Sequence, residues 1–281
     1  MEYVMRGDYP VKKFVIALLL LTTLSLSACN SVKVPKSTMG HSMSATPTDV
    51  VPTKSDWKIA EHPKANENIP ISIFIKDKAN QPIKSFETVH EKKMHLFIVS
   101  KDLAYFSHIH PKYKGDGEFT ITTAFPAGGD YKIIAEFTPK GGGDSSIESH
   151  WQHVEGEAAK EEPLVPDQEL TKVVDGKKVS LTFDHLMADK TLHMTFTITD
   201  AATDKPIKNL QPYLGAMGHT VAMNADAEKY LHIHPMTTAG NGPKVIFMTI
   251  FPEAGVYKVW GQFKHEGKIF TVPFVINVPQ K

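Results

Sequence analysis

The chain repeats itself, and the repeat is anchored on histidines. Aligning Pro82-Ile83 with Pro206-Ile207 places His95 on His219, and His108-Ile109-His110-Pro111 on His232-Ile233-His234-Pro235, without a gap. After a two-residue insertion, Phe125-Pro126, Gly129, Tyr131-Lys132 and Phe137 fall on Phe251-Pro252, Gly255, Tyr257-Lys258 and Phe263. Between these anchors the copies differ widely. Such a chain folds as two versions of one unit, each with its own core. Its 281 residues leave room for two domains of ordinary size.

The local pattern is that of strands. Ile69 to Ile75 alternates and is rich in β-branched residues, and Met94 to Val99, Tyr105 to His110, Phe119 to Phe125 and Tyr131 to Phe137 follow. Turn residues separate them, as in Asp77 to Gln81 and Pro126 to Asp130. Ser149 to Val154 is expected to end the first unit, and Ile269 to Val278 to close the second. Short strands at this spacing, with no helical period, predict an all-β fold of two antiparallel sandwiches. The charged, proline-containing stretch 155–167 reads as the linker, which gives domains at 55–154 and 168–281.

Ahead of them lies a different composition. Arg6, Lys12 and Lys13 precede an apolar run from Phe14 to about Leu26, and the run ends in Leu26-Ser27-Ala28-Cys29. A positive start, a short apolar core and small residues make residues 1–28 a secretory signal. The terminal four residues resemble the bacterial lipobox, which implies a lipid (palmitate among its chains) on Cys29. The expected location is the extracytoplasmic face of the cell membrane. Cys29 is the one cysteine, so no internal disulfide forms. Residues 29–54 are Ser, Thr, Pro and Lys with little to bury, and read as a flexible tether. Within it, Met39-Gly40-His41-Ser42-Met43 offers two thioethers and an imidazole to a soft cation, or is merely tolerated in a polar tail.

The histidines carry the chemistry. Residues two apart on a strand point to one face, about 6.6–6.8 Å apart, so each His-Ile-His stretch aims two imidazoles the same way. The tract between the upstream histidine and the pair is long enough for a hairpin. That would bring His95 beside His108 and His110, and His219 beside His232 and His234. Three neutral imidazoles closing on one cation suit Zn(II) or Cu(II). The competing reading is structural: paired histidines are solvated, or fix a turn before proline.

The second set is the stronger expectation from sequence. Met217, Met223 and Met236 lie near it, with His185, Met187, His193 and Met194 on earlier strands. Thioethers tilt the metal from zinc toward copper, although methionine is also ordinary core filling. Lys93 beside the first set would disfavour a cation there. His265 reads as a solvated loop residue, and His150 and His153 as partners of aromatic packing around Trp151.

Other chemistry is excluded. Formal charge is zero with no long basic run, so nothing favours nucleic acid as a partner. A blue-copper centre needs a cysteine ligand. No nucleophile elbow, phosphate-cradling loop or acid–base carboxylate pair is present, and the expectation is not an enzyme.

The first domain resembles the YtkA-like family of small extracytoplasmic β-sandwiches, through the Asp77 to Ile83 turn, His108-Ile109-His110-Pro111 and Phe125 to Tyr131. The second is similar to segments of bacterial secreted proteins, through Pro212 to His219, Tyr230 to Pro235 and Phe251 to Tyr257. The architecture also resembles CopC-type copper-binding sandwiches. Together these imply two tandem immunoglobulin-like domains on a lipoprotein. The expected function is binding of copper for buffering, or for delivery to another envelope metal-handling protein. The alternative is a metal-free surface interaction module.

Overall fold

A computed structural model describes residues 50–237 and 239–280. The signal, Cys29 and the Met39 to Met43 motif lie outside the described residues. Among those described there are 17 strands and no helix. The first domain holds β1 (Thr53–Lys58), β2 (Ile69–Asp77), β3 (Met94–Ser100), β4 (Phe106–Ile109), β5 (Lys112–Gly115), β6 (Glu118–Thr123), β7 (Gly129–Phe137) and β8 (Ser146–Val154). The second holds β9 (Thr171–Val174), β10 (Lys177–Phe183), β11 (Thr191–Asp200), β12 (Leu210–Gln211), β13 (His219–Asn224), β14 (Tyr230–Ile233), β15 (Lys244–Ile250), β16 (Gly255–His265) and β17 (Lys268–Val278).

Each domain is a sandwich of two antiparallel sheets. In the first, the order β1-β2-β6-β5 faces β4-β3-β7-β8. In the second, β15-β11-β10-β9 faces β12-β16-β13-β14, with β17 also paired to β16. The alternation expected for a half-buried strand holds in β2, where Ile69, Ile71, Ile73 and Ile75 enter the core. Gly218 belongs to that packing in the second domain: a Cβ there would lie 2.7 Å from the Phe263 ring. The first domain begins two residues ahead of the expected boundary, with Thr53 paired to Asp77.

β3, β7, β13 and β16 break the alternation, because both of their faces are covered. Met94, Leu96 and Ile98 fill the first domain's own core, whereas Phe97 and Val99 point the other way. There they meet Ile134 of β7 and, from the second domain, Val221, Met223, Ala227 and Trp260. Phe106 and Trp260 stack at 4.8 Å between ring centroids. The two sandwiches therefore share a third apolar cluster, sheet against sheet. Lys132, buried in β7, fastens one side of it by donating to the Ala227 carbonyl at 2.8 Å and to Glu228 at 2.9 Å.

Candidate metal centre

The face of β3 that carries Phe97 also carries His95, and the same holds for Val221 and His219 on β13. Both histidine sets therefore line the interdomain layer. The β3–β4 hairpin pairs Phe97 with His108, and the β13–β14 hairpin pairs Val221 with His232. His95 Nδ1 comes to 3.0 Å from His108 Nε2, and His219 Nδ1 to 3.4 Å from His232 Nε2. The hairpin expected in each domain is present. What the sequence did not reveal is that the sets meet. The His95 ring lies 6.3 Å from His219 and 5.9 Å from His232, centroid to centroid.

Each set is oriented from the opposite domain. Glu136, beside His95 in the β3–β7 register, accepts from His232 Nδ1 at 2.9 Å and from the Tyr230 hydroxyl at 2.8 Å. Gln262, beside His219 in the β13–β16 register, presents Oε1 to His108 Nδ1 at 2.8 Å, while its Nε2 donates to Thr271 Oγ1. A further histidine absent from the sequence expectation, His90, reaches across from the turn before β3. Its ring lies 4.9 Å from His219, 4.9 Å from His234 and 5.7 Å from His232.

The hydrogen-bond network assigns the tautomers of the first set. The Val89 carbonyl can only accept, so His95 Nε2, at 3.0 Å from it, carries the hydrogen and Nδ1 is bare. Gln262 Oε1 likewise places the hydrogen of neutral His108 on Nδ1, leaving Nε2 bare. Two lone pairs thus confront each other at 3.0 Å. That contact is repulsive unless a cation lies at it. Nitrogens sharing a metal at about 2.0–2.1 Å, with angles between square and tetrahedral, stand ~2.8–3.4 Å apart. The observed separation fits. His110 adds a third ring, with its buried Nε2 lacking a hydrogen-bond partner, and the three ligand atoms all lie within 4.8 Å of one another.

Electrostatics favour a metal over a shared proton. Burial, reinforced by neighbouring imidazoles, holds His108 well below the usual histidine range, and burial carries His110 down to about 3. Burial also lowers His95 and His219. The rings are neutral donors at neutral pH. Burial alone would raise Glu136, but His232 and the Tyr230 hydroxyl outweigh it and hold the carboxyl below its ordinary range. A buried carboxylate therefore sits against the histidine layer.

A family model finds the repeat. The family model described as Domain of unknown function (DUF8832) matches residues 50–156 and again 172–280. The chain belongs to this family. One family thus covers both halves, where the sequence reading attached the YtkA-like resemblance to the first alone. No curated protein matches. Among solved structures, the chain is similar to invasin, a bacterial integrin-binding protein, at 11% identity and TM-score 0.25, over 79% of this chain and 39% of that one. It is similar to a putative membrane anchored protein from Corynebacterium diphtheriae at 12% and 0.24, over 80% and 57%. It is also similar to the fibronectin(III)-like modules of Clostridium thermocellum CbhA at 13% and 0.21, over 80% and 95%. The chain thus spans under two thirds of the length of the first two.

Several expectations change in this DUF8832 chain. The convergent ligand set is His95, His108 and His110, not the second-domain set ranked first from sequence. Lys93 places its Nζ 5.0 Å over the Tyr113 ring, and it is Lys92 whose charge acts on His95 and His110. Among the described methionines named from sequence, Met194 and Met217 pack in the second core, Met223 in the shared cluster, and Met236 is exposed. His185 and His193 bind Asp184 at the surface. His265 is buried rather than solvated, with Nε2 3.0 Å from Asn209 Oδ1. His150 stacks on Trp57, and His153 pairs with Asp130.

Proposed function

We propose that this protein binds a divalent transition metal in the layer between its two domains, through His95, His108 and His110. The observation that carries the reading is the 3.0 Å approach of two imidazole nitrogens whose outer hydrogen bonds leave both bare. An all-imidazole set accepts Cu(II) and Zn(II), and at nitrogen sites copper binds more tightly. Copper is the ion we assign, now on donor chemistry alone. His110 also lines an open groove with Pro70, Ser72, Lys112, Thr120 and Thr122, which brings the third ring to the edge of the layer. A reachable third ligand suits buffering or hand-over to another envelope metal-handling protein better than a closed structural site. We place the protein on the extracytoplasmic membrane face, held by lipid on Cys29, from the Leu26 to Cys29 motif. Nothing in the arrangement calls for catalysis, and we assign it a binding role.

The test uses the full chain, purified without chelator, beside the double variant His95→Ala/His108→Ala. Copper bound at neutral pH by the first and lost by the second supports the reading. If neither Cu(II) nor Zn(II) binds the unaltered chain, the reading falls. The histidine layer then serves to join the domains, and a metal-free interaction module takes its place.

A further inference from the structure

We propose that β8 is a pairing edge, and that it joins antiparallel to β8 of a second copy of this chain about a two-fold axis through Ser149.

β8 ends its sheet, in the order β4-β3-β7-β8. An edge strand offers a row of unpaired backbone groups, and proteins blunt such rows with lysine, proline or brevity. The other described edges do so. β1, β5, β9, β15 and β17 each carry lysine, and β4, β12 and β14 have four residues or fewer. β8 runs for nine residues, Ser146–Val154, with neither lysine nor proline.

One face of β8 also leaves large apolar side chains uncovered. In register with β7, Ile147 lies beside Glu136, Ser149 beside Ile134 and Trp151 beside Lys132. These three share the face of the sheet that meets the second domain, since Ile134 belongs to the shared cluster. The second domain stops short of them: Ile147 is 51% exposed and Trp151 39%. Lys132 Nζ lies 5.4 Å from the centroid of the Trp151 ring, at the rim of the interdomain contact. Ile147 and Trp151 thus continue an interface already formed.

The sequence of β8 is complementary to itself. In an antiparallel pair centred on Ser149, Ile147 faces Trp151 of the second copy, and Trp151 faces its Ile147. On the other side of the strand, the Glu148 carboxylate faces the imidazole of His150 in the same reciprocal way. Aromatic pairs with β-branched residues, and pairs of complementary charge, are those that stabilise antiparallel neighbours. Centring the pair on His150 instead sets Ile147 against His153 and Ser149 against Trp151, and loses both matches. Contacts within the sandwich already fix the strand. Glu148 accepts from Thr53 Oγ1 at 2.6 Å and from Ser55 Oγ at 3.0 Å, and His150 stacks on Trp57 at 5.5 Å between centroids. The pairing makes one continuous sheet across the axis, with four strands from each copy.

Full chains carrying Cys29→Ser, which removes the one native thiol, test the proposal by sedimentation and by thiol trapping. The paired stretch is short and the interface small, so we expect a reversible monomer–dimer equilibrium. Trp151→Lys and Ile147→Lys, both at exposed positions, should shift it to monomer while circular dichroism shows the fold retained. Cysteines facing across the axis come within reach of a disulfide, whereas a pair at position 153 stands ~27 Å apart. Ser149→Cys should therefore give a linked dimer under mild oxidation that His153→Cys does not. Equal trapping at the two positions, or a dimer that persists in Trp151→Lys, overturns the pairing. A chain that stays monomeric and traps at neither position overturns it as well, and leaves the edge to a strand of another protein.

Discussion

Glu136 and Gln262 occupy equivalent places on β7 and β16, and each holds a histidine of the opposite domain. Glu136 Oε2 accepts from His232 Nδ1 at 2.9 Å, and Gln262 Oε1 from His108 Nδ1 at 2.8 Å. The pair is a reciprocal clasp around the histidine layer. It is chemically unequal, since one member carries charge and the other does not.

That inequality makes Glu136→Gln and Gln262→Glu informative. The amide oxygen of Glu136→Gln can still accept from His232 and Tyr230, so the geometry survives while the buried charge is lost. Partners of this kind are worth about 10–100-fold in metal affinity. Gln262 backs His108, a ligand, so Gln262→Glu is expected to tighten Cu(II) binding within that range by isothermal titration at neutral pH. Glu136 backs His232, which is not a ligand, and Glu136→Gln should weaken binding less, through loss of its charge near His95. Equal affinities in all three proteins would show that the carboxylate does not act on the metal.

The metal-free protein is expected to lose stability in acid. His95, His108, His110 and His219 have folded pKa values below the unfolded value of about 6.5, with His110 at about 3. Between those limits the unfolded chain binds more protons, so stability rises with pH there and is flat above about 6.5. Glu136, also depressed, adds to the loss once pH falls below the ordinary carboxyl range. Each histidine contributes up to about 1.4 kcal/mol per pH unit within its window. Urea unfolding at pH 7.5, 6.5 and 5 reads this directly. A midpoint unchanged at pH 5 would mean that the rings are not buried as neutral groups.

Much of this was legible in the sequence. The hairpins followed from His-x-His spacing, and the two cores from the aligned apolar anchors. The meeting of the domains did not follow from the repeat, because a duplication says nothing about how its copies pack. Its signal lay in Met94 to Val99 and Tyr131 to Phe137, which are apolar on both faces where a one-sided strand should alternate. Glu136, a lone carboxylate inside such a run, marked the place where a partner was needed. The methionines misled because a buried thioether and a ligating one look the same in sequence. His90 left no periodic trace, since its place depends on a turn and on the facing domain.

The shared apolar cluster is expected to make the domains unfold together. Phe97 is fully buried there, lying 4.2 Å over His108 and 5.3 Å from Tyr230 between ring centroids. Phe97→Ala removes a large buried ring at a cost of about 3–5 kcal/mol. The loss falls on the interface, because Met94, Leu96 and Ile98 of the same strand fill the domain's own core. Calorimetry of the unaltered chain should show one transition, and of Phe97→Ala two, with the first domain's lower. Copper should raise the transition of the unaltered protein by mass action. That rise should shrink in Phe97→Ala even though no ligand has been removed, because the ring stacked on His108 helps hold its nitrogen in place. A single transition with an undiminished copper shift would show that the layer is held by its polar clasp alone.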